Sequence, residues 1–363
     1  MIADRLLSNV KSFREANMIF AMYTIDLAMG HTLLCMSIKS ETIKIYIKVA
    51  ADHISESRRR ALTGLPNESF QWIDPRLDIT TGKLSKRITS ITDEVRRWEK
   101  IANRREPVTT RMITYGALKC DPLKPFCIDN VMYDWTVIGI YTGVRLTEWA
   151  QPKSGFVKLK TDEPKAFMWQ DVEFRGVNNR RMTISEGLEN PSLVHTVRLT
   201  WREQKNGQNG EKKTIVRSPA NKTLCAVSAV IRVMERFQAL GLDKKEYPLA
   251  VFTSNGLVTG KMRFVRAPHI EVYLQRAAKN VYNITNKEEL QRFSAHSIRV
   301  GACVALHAAG VSKLDIKHAL RWKSDGFMVY LRDLPCQAQR NANAVLNFSP
   351  DCLDIIPHAA EAA

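Results

Sequence analysis

Residues 296–330 read HSIRVGACVALHAAGVSKLDIKHALRWKSDGFMVY and bring four chemically distinct side chains into one short stretch. His296 can take up or release a proton near neutral pH, and Arg299 can fork two N–H donors onto a phosphate. The indole of Trp322 can only donate a hydrogen bond, and the hydroxyl of Tyr330 can act as a covalent nucleophile. A helix-like span separates the first pair from the second. These groups suit a phosphodiester better than any other common substrate.

The composition of the chain favours a polyanionic partner. Lys and Arg total 54 against 37 Asp and Glu, which gives a formal net charge of +17 and a pI of about 9.6. Binding that depends on such an excess weakens steeply as the salt concentration rises. A ribosomal or membrane-surface protein has the same balance, so charge alone leaves these classes open. The 363 residues, 45% of them hydrophobic, are enough for two ordinary domains with cores.

The cysteines and the absence of long apolar runs indicate where the protein works. None of the seven cysteines forms a C-x-x-C pair, which argues against both a zinc site and a disulfide framework. They are Cys35, Cys120, Cys127, Cys225, Cys303, Cys336 and Cys352. The most apolar stretch, residues 18–38, is interrupted by Asp26, Gly30 and His31 and is too polar to span a bilayer. With no visible signal peptide, the sequence predicts a soluble protein of a reducing, intracellular compartment.

The first third of the chain is predicted to be helical. Ser40 can cap a helix that places Ile43, Ile47 and Ala50 or Ala51 on one side. A second amphipathic segment carries an apolar stripe made of Ile88, Ile91, Val95, Trp98 and Ala102. The sequence NRREP at 103–107 ends this helix, because a proline disfavours helix for the residue before it. We therefore place the domain boundary there, with residues 1–106 in one domain and 107–363 in the other.

The remainder of the chain is predicted to mix helices with a few strands. Helices are expected at residues 129–142, 224–240, 267–282 and 312–320, and Ser324 or Asp325 can begin one that carries Tyr330. Val197, Leu199 and Trp201 alternate with polar residues, and the loop NGQNG at 206–210 leads into KKTIVRS, as in a β-hairpin. The predicted fold class is mixed: an all-α first domain and an α+β second domain that is mostly helical with a small antiparallel sheet.

The candidate residues match the demands of breaking a phosphodiester without a metal ion. That reaction needs a nucleophile, cationic donors for the charged phosphorus, a proton for the leaving oxygen, and a base for the nucleophile's own proton. Arg145 lies in YTGVRLTEW after a helix–turn signal, and Glu148 follows three residues later, where it can orient Arg145. Lys205 begins the hairpin tip, where its flexible stem can reach a leaving group. His296, Arg299, Trp322 and Tyr330 supply the remaining roles.

Taken in order, these motifs resemble the catalytic signature of the tyrosine recombinases. The signature comprises RLTE at 145–148, the hairpin Lys205, HSIR at 296–299, RW at 321–322 and a following Tyr330. The segments DPRLDITTGKL at 74–84, RWEKIANRREP at 97–107 and RWKSDGFMVYLR at 321–332 are most similar to the mobile-element branch of that family. Each motif alone is short and common, but their order and separation in a basic chain of this length are specific.

The resemblance implies a role for each matching residue. It implies that Arg145 and Arg299 clamp the scissile phosphate and that Lys205 is the general acid for the departing 5′-hydroxyl. His296 would accept or donate a proton near the phosphate, and Trp322 would donate to a non-bridging oxygen. Tyr330 would attack to form a 3′-phosphotyrosyl link, which the 5′-hydroxyl of a partner strand later reverses.

The resemblance also implies partners and an assembly. It implies a helical core-binding domain, double-stranded DNA as substrate, no cofactor or metal, and a homo-tetramer on paired sites that exchanges a C-terminal segment between residues 341 and 356. Basic residues expected to contact DNA phosphates are Arg58, Arg59, Arg60, Arg104 and Arg105. The location would be nuclear for a eukaryotic mobile element and cytoplasmic for a prokaryotic or phage protein.

Several alternatives stay open on the sequence alone. A type IB topoisomerase uses the same chemistry but reseals one strand, a domesticated relative binds DNA without cutting it, and a basic RNA-binding protein shares only the charge. The step from Trp322 to Tyr330 is eight residues, one shorter than in many bacterial relatives, although the upstream rivals Tyr273 and Tyr282 stand in the wrong order. Lys212 and Lys213 share the hairpin with Lys205. Taken singly, Arg145 with Glu148 could be a surface ion pair, and Trp322 and Tyr330 could be packing residues.

Overall fold

The structure, a computed structural model, describes residues 13–30, 38–61, 74–78, 80–99, 104–152, 155–159, 161–204 and 209–331. The side chains of residues 13–15 and 56–61 are not described. Lys205, the guanidinium groups of Arg58, Arg59 and Arg60, Ala102 and the predicted exchange segment at 341–356 therefore lie outside the description. The chain divides into two compact units, Met1–Asn103 and Arg104–Ala363.

The first unit is built from helices. They are α1 (Phe13–Ala28), α2 (Ser40–Ala61) and α3 (Lys86–Trp98). The predicted face of α2 is confirmed, since Ile43, Ile47 and Ala51 are buried together with Ile88 of α3. The prediction that Trp98 belongs to the buried apolar stripe of α3 was wrong, because Trp98 is 81% exposed. Its indole N–H instead donates to a Glu94 carboxylate oxygen one turn earlier, at 2.8 Å, and the helix ends at Trp98 rather than beside Pro107.

The second unit combines helices with two small antiparallel sheets. Its α-helices are α4 (Thr110–Leu118), α5 (Ile128–Thr142), α6 (Leu146–Trp149), α7 (Ile184–Glu189), α8 (Ala226–Ala239), α9 (Ala267–Tyr282), α10 (Lys287–Leu290), α11 (Ala295–Ala308) and α12 (Lys313–Ala319). Its strands are β1 (Val172–Arg175), β2 (Arg181–Met182), β3 (Thr196–Trp201), β4 (Glu211–Val216), β5 (Val251–Thr253) and β6 (Met262–Phe264). The larger sheet has the order β2-β1-β3-β4, and β5 pairs with β6. The predicted mixed fold class and the β3–β4 hairpin are confirmed.

Helix α5 forms the centre of the second core and ends beside the later site. Every residue from 131 to 139 is buried, as expected of a helix that is apolar on all sides. The helix begins at Ile128, one residue before the predicted cap Asp129, which instead pairs with Arg276 of α9. Gly143 ends it in the left-handed conformation (φ 59°), and a Cβ there would lie 2.8 Å from the Leu320 side chain. Only glycine satisfies both conditions at this close approach.

Three further features of the described residues bear on the sequence expectations. None of the described helices is long and apolar enough to cross a lipid bilayer. No group of three His, Cys, Asp or Glu side chains in the described ranges is arranged to share a metal ion. The described cysteines, Cys120, Cys127, Cys225 and Cys303, are free thiols.

Candidate active site

Side chains from four separate parts of the second unit meet at one place. Arg145 precedes α6, His296 and Arg299 lie in the first turns of α11, Trp322 follows α12, and Tyr330 ends a 3₁₀ helix that begins at Asp325. Direct contacts join them: Arg145 Nη2 donates to the Arg321 carbonyl at 3.3 Å, and His296 Nε2 lies 2.9 Å from the Tyr330 hydroxyl. Of the six predicted catalytic residues, the structure brings five together, and the sixth, Lys205, lies outside the described residues.

The RLTE motif forms a tight local unit. Arg145 stands at the N-cap of α6, and the buried Glu148 carboxylate accepts from both the Arg145 backbone N–H and its Nη1, each at 2.9 Å. Burial alone would raise the pKa of Glu148, but Arg321, the Arg145 and Trp201 N–H donors and the Arg145 charge together hold it below its ordinary value. Glu148 is therefore ionised at neutral pH and holds Arg145 as predicted from the spacing.

Arg299 is the most deeply placed cation of the predicted set. It is buried, and its guanidinium donates to the carbonyl oxygens of Gly143 and Leu320, the latter at 2.5 Å. Its Cζ also lies 4.5 Å from the centre of the Trp322 ring. Burial, with the charges of Arg145 and Arg321, lowers the pKa of Arg299 to about 9, which leaves it cationic at neutral pH. Two of its five N–H donors fix the guanidinium plane on the backbone.

Trp322 is held by a helix-terminating turn. The Trp322 N–H donates to the Lys317 carbonyl at 2.8 Å and the Arg321 N–H donates to the His318 carbonyl at 3.0 Å, the pattern of a Schellman motif at the end of α12. The indole nitrogen of Trp322 is buried and has no hydrogen-bond partner in the part of the chain that the structure describes. Because buried N–H groups are normally satisfied, this one is a donor that a ligand oxygen can use.

Tyr330 and His296 form a matched donor and acceptor. Burial raises the pKa of Tyr330, although the nearby Arg299 acts in the opposite direction. Burial, together with Arg299, Arg105 and Arg145, lowers the pKa of His296 below 6.5. The imidazole is thus neutral at pH 7 and can accept the phenolic hydrogen through Nε2. The pair has the arrangement expected of a nucleophile and its base.

The two rival tyrosines occupy different surroundings. Tyr273 is buried in α9 against Gly116 of α4, and burial raises its pKa. The Tyr282 hydroxyl hydrogen-bonds the Thr109 hydroxyl. The arginine beside Tyr273 is Arg276, whose Cζ lies 5.8 Å from the ring centre, and not Arg145 or Arg299.

Lys213 is a cation of this site that the sequence analysis did not assign. It pairs in register with the buried Leu199, so it points to the inner face of the hairpin, whereas Lys212 pairs with Thr200 and points outward. Its ammonium donates to the Ala319 carbonyl at 2.7 Å. Burial first, and then Arg321, lower the pKa of Lys213 to about 8. The alternation of KKTIV, in which Ile215 is buried, was the signal that could have selected Lys213.

Arg321 is a second residue that the sequence analysis left without a role. Its guanidinium pairs with Glu148 Oε2 at 2.9 Å, donates to the Thr142 carbonyl at 3.2 Å, and stacks 3.8 Å from the Trp201 ring centre. The site thus collects the cations Arg145, Lys213, Arg299 and Arg321, of which Arg145 and Arg321 pair with Glu148. This excess of buried positive charge favours an anionic ligand.

The predicted DNA-contact residues are placed only in part. Arg104 and Arg105 are exposed, and Arg105 Nη1 donates to the Gln291 carbonyl at 2.6 Å. Arg105 also belongs to the charges that lower the pKa of His296, which sets it close to the site.

Comparison with known proteins yields similar solved structures and nothing at the sequence level. No protein-family model matches the chain, and no curated protein sequence matches it. A Tn1549 transposon integrase in complex with circular intermediate DNA has 16% identity over 92% of this chain and 85% of its own, with a TM-score of 0.41. The XerH site-specific recombinase bound to its difH substrate has 12% identity over 94% and 74%, with a TM-score of 0.48. A lambda integrase dimer bound to a core site has 14% identity over 92% and 93%, with a TM-score of 0.36.

All three are integrases or recombinases solved with DNA. The chain is similar, over most of its length and at low identity, to these solved structures of integrases and a site-specific recombinase.

Proposed function

We propose that this protein is a tyrosine recombinase, a site-specific DNA recombinase or integrase that cuts and rejoins DNA through a 3′-phosphotyrosine link. The observation that carries the proposal is the hydrogen bond between the Tyr330 hydroxyl and a neutral His296, close to the buried Arg299 and the partly exposed Arg145. A phenol hydrogen-bonded to its base and placed next to guanidinium groups is the arrangement that nucleophilic attack on a phosphodiester requires.

The contact between Tyr330 and His296 sets the direction of proton transfer during strand cleavage. The Tyr330 oxygen attacks phosphorus while its proton passes to His296 Nε2, and a bond from phosphorus to the tyrosyl oxygen forms. The bond from phosphorus to the 5′-oxygen breaks, and the departing oxygen takes a proton from a lysine. Rejoining reverses these steps, because a 5′-hydroxyl attacks the phosphotyrosine and His296 returns the proton to Tyr330.

The cations and the indole stabilise the charge that accumulates at phosphorus. Arg145 and Arg299 would bind the non-bridging oxygens, since each guanidinium keeps N–H donors beyond those used in the contacts described above. The unsatisfied indole N–H of Trp322 would donate to the same group. Lys205 is proposed as the general acid because of its hairpin-tip position, and Lys213 supplies a buried ammonium beneath the same hairpin.

The wider assembly is proposed from the resemblance and the charge. Residues 1–106 would be the core-binding domain and residues 107–363 the catalytic domain, acting on double-stranded DNA as a homo-tetramer that exchanges the segment at 341–356. Arg58, Arg59, Arg60, Arg104 and Arg105 would contact phosphates without reading bases. The protein would work with DNA inside the cell, and we propose that a mobile element encodes it.

The test is a nicked suicide duplex that traps the covalent intermediate. The expected result is a protein–DNA adduct whose modified peptide contains Tyr330, followed by strand exchange between two sites. Relaxation of supercoiled DNA by a monomer without exchange would identify the type IB topoisomerase alternative. Binding without any adduct would identify a non-catalytic, domesticated protein.

Chelation of metal ions should leave cleavage unchanged. The nucleophile, base, cations and indole donor are all supplied by side chains of the protein, so we expect adduct yield in EDTA to equal that in magnesium. The measurement is the adduct fraction on a denaturing gel, at an ionic strength matched between the two buffers. A strict magnesium requirement for the chemical step would point to a different mechanism.

The pH dependence of cleavage should report His296. Only the neutral imidazole accepts the Tyr330 proton, so the rate should fall as the pH drops through the pKa of His296, which lies below 6.5. Single-turnover rates across pH should show this acid limb in the wild type and lose it in His296→Gln. A matched control is His269→Gln, because burial lowers the pKa of His269 too but its ring contacts Phe252. An acid limb that persists in His296→Gln would remove His296 from the role of base.

A further inference from the structure

Arg321 adopts a backbone conformation that its side chain disfavours. Its φ is +56°, at the position of a Schellman motif that glycine usually occupies. The other non-glycine residues with positive φ among the described residues are all Asp or Asn, whose short polar side chains tolerate this region. A strained backbone of this kind persists only where the surroundings enforce it, and such residues cluster at functional sites.

The contacts of the Arg321 side chain show what enforces the conformation. The side chain is 1% exposed and pairs with Glu148 Oε2 at 2.9 Å. Its guanidinium lies 3.8 Å from the ring centre of Trp201 and donates to the Thr142 carbonyl at 3.2 Å. A glycine would relieve the backbone but would leave the Glu148 carboxylate without this buried cation.

Glu148 divides its two oxygens between two arginines. Oε1 accepts from Arg145 Nη1 at 2.9 Å. Oε2 accepts from Arg321 Nη2 at 2.9 Å, from Trp201 Nε1 at 3.0 Å and from the Arg145 backbone N–H at 2.9 Å. Because Oε2 is occupied, the Arg145 guanidinium meets the carboxylate at one oxygen rather than in a bidentate pair. The Arg145 side chain remains 27% exposed. The left-handed turn also aims the Arg321 carbonyl at Arg145 Nη2, at 3.3 Å.

We propose that Arg321 is a positioning residue that keeps Arg145 available to a phosphate. It holds one Glu148 oxygen with its side chain and orients Arg145 with its carbonyl, so that Arg145 is fixed but not neutralised. The inference rests on the proposed function, in that the phosphate is taken to be the scissile group of DNA. Arg321 prepares the site for a phosphate anion, and it acts on that phosphate only through Arg145.

The first arm of the test measures anion binding without catalysis. The probe is inorganic phosphate, added at constant ionic strength, and the readout is the rise in thermal unfolding midpoint. Arg321→Gly should weaken the apparent phosphate affinity by about tenfold, the effect of losing one charge-assisted hydrogen bond. It should have no further effect in an Arg145→Ala background. The control Arg236→Met removes another buried arginine, paired with Asp134, and should leave phosphate affinity unchanged.

The second arm uses the adduct assay with two substrates. One suicide duplex carries the natural scissile phosphate and the other a methylphosphonate, which has no formal negative charge at phosphorus. If Arg321 acts through the Arg145 charge, Arg321→Gly should slow cleavage of the phosphate far more than cleavage of the methylphosphonate. A general folding defect would slow both equally, and that result would overturn the proposal.

The two arms separate this inference from the proposed function. If the wild type formed no adduct, the proposed recombinase function would be rejected. The phosphate-binding assay would still test the role of Arg321. Equal phosphate affinity in the wild type and in Arg321→Gly would overturn the positioning role whatever the activity. If Arg321→Gly does not fold, Arg321→Lys keeps the charge without the planar fork and should give an intermediate loss of affinity; full affinity in that variant would contradict the role.

Discussion

Replacing Tyr330 with phenylalanine is expected to abolish covalent adduct formation while leaving DNA binding intact. The substitution removes only the hydroxyl that lies 2.9 Å from His296 Nε2 and keeps the ring that packs beside Trp322. Loss of that hydrogen bond should lower the free energy of unfolding by about 1 kcal/mol, too little to unfold a domain. The measurement is adduct yield on a nicked suicide duplex, with binding followed separately by mobility shift.

A matched control for this variant is Tyr282→Phe. Tyr282 also loses a hydroxyl–hydroxyl contact, with Thr109, but it does not contact His296 or the arginines of the site. It should therefore retain full adduct formation. An adduct that survived Tyr330→Phe would exclude Tyr330 as the nucleophile and would reopen the search for one.

Replacing Arg299 with alanine is expected to reduce the cleavage rate by at least about 10²–10³-fold, the range found when one donor to a charged transition state is removed. Arg299 is buried, donates to the carbonyl oxygens of Gly143 and Leu320 and stacks on Trp322, so alanine removes a guanidinium whose position the backbone fixes. The measurement is the single-turnover rate of adduct formation at saturating protein.

Two controls separate chemistry from folding in this case. Arg299→Ala also leaves the Gly143 and Leu320 carbonyls without their donor, so its thermal unfolding must be compared with that of Arg236→Met, a buried arginine variant outside the site. Arg299→Lys retains the charge but not the fork, and should recover only part of the rate. Near-normal cleavage by a folded Arg299→Ala protein would contradict the phosphate clamp.

The secondary structure was largely predictable because its patterns are local. The prediction of a helix over residues 267–282 matches α9, and the alternation of Val197, Leu199 and Trp201 matches the buried face of β3. Ser312 caps α12 as predicted, with its hydroxyl accepting from the Asp315 N–H at 3.1 Å. Periodicity and capping depend on residues a few positions apart, so the sequence contains the necessary information.

The failures have two causes, one local and one long-range. Trp98 continued an apolar stripe but is exposed, because helix α3 ends at that residue and its indole N–H is used locally by Glu94. Lys213 and Arg321 were passed over because their importance depends on neighbours far along the chain. Lys213 reaches Ala319, and Arg321 reaches Glu148, across more than one hundred residues in each case.

The amino-acid sequence by itself determined which chemical groups are available and in what order: an arginine with a glutamate three residues later, a histidine and arginine one helical turn apart, and a tryptophan followed by a tyrosine. It also determined the helices and the hairpin that carry them. Only the tertiary structure decided that these groups share one site, that Lys213 reaches the Ala319 carbonyl, and that Glu148 pairs with the guanidinium groups of two arginines. The physical reason is that residue types and spacing act over one or two turns, whereas burial, charge balance and hydrogen-bond partners arise when distant segments pack together.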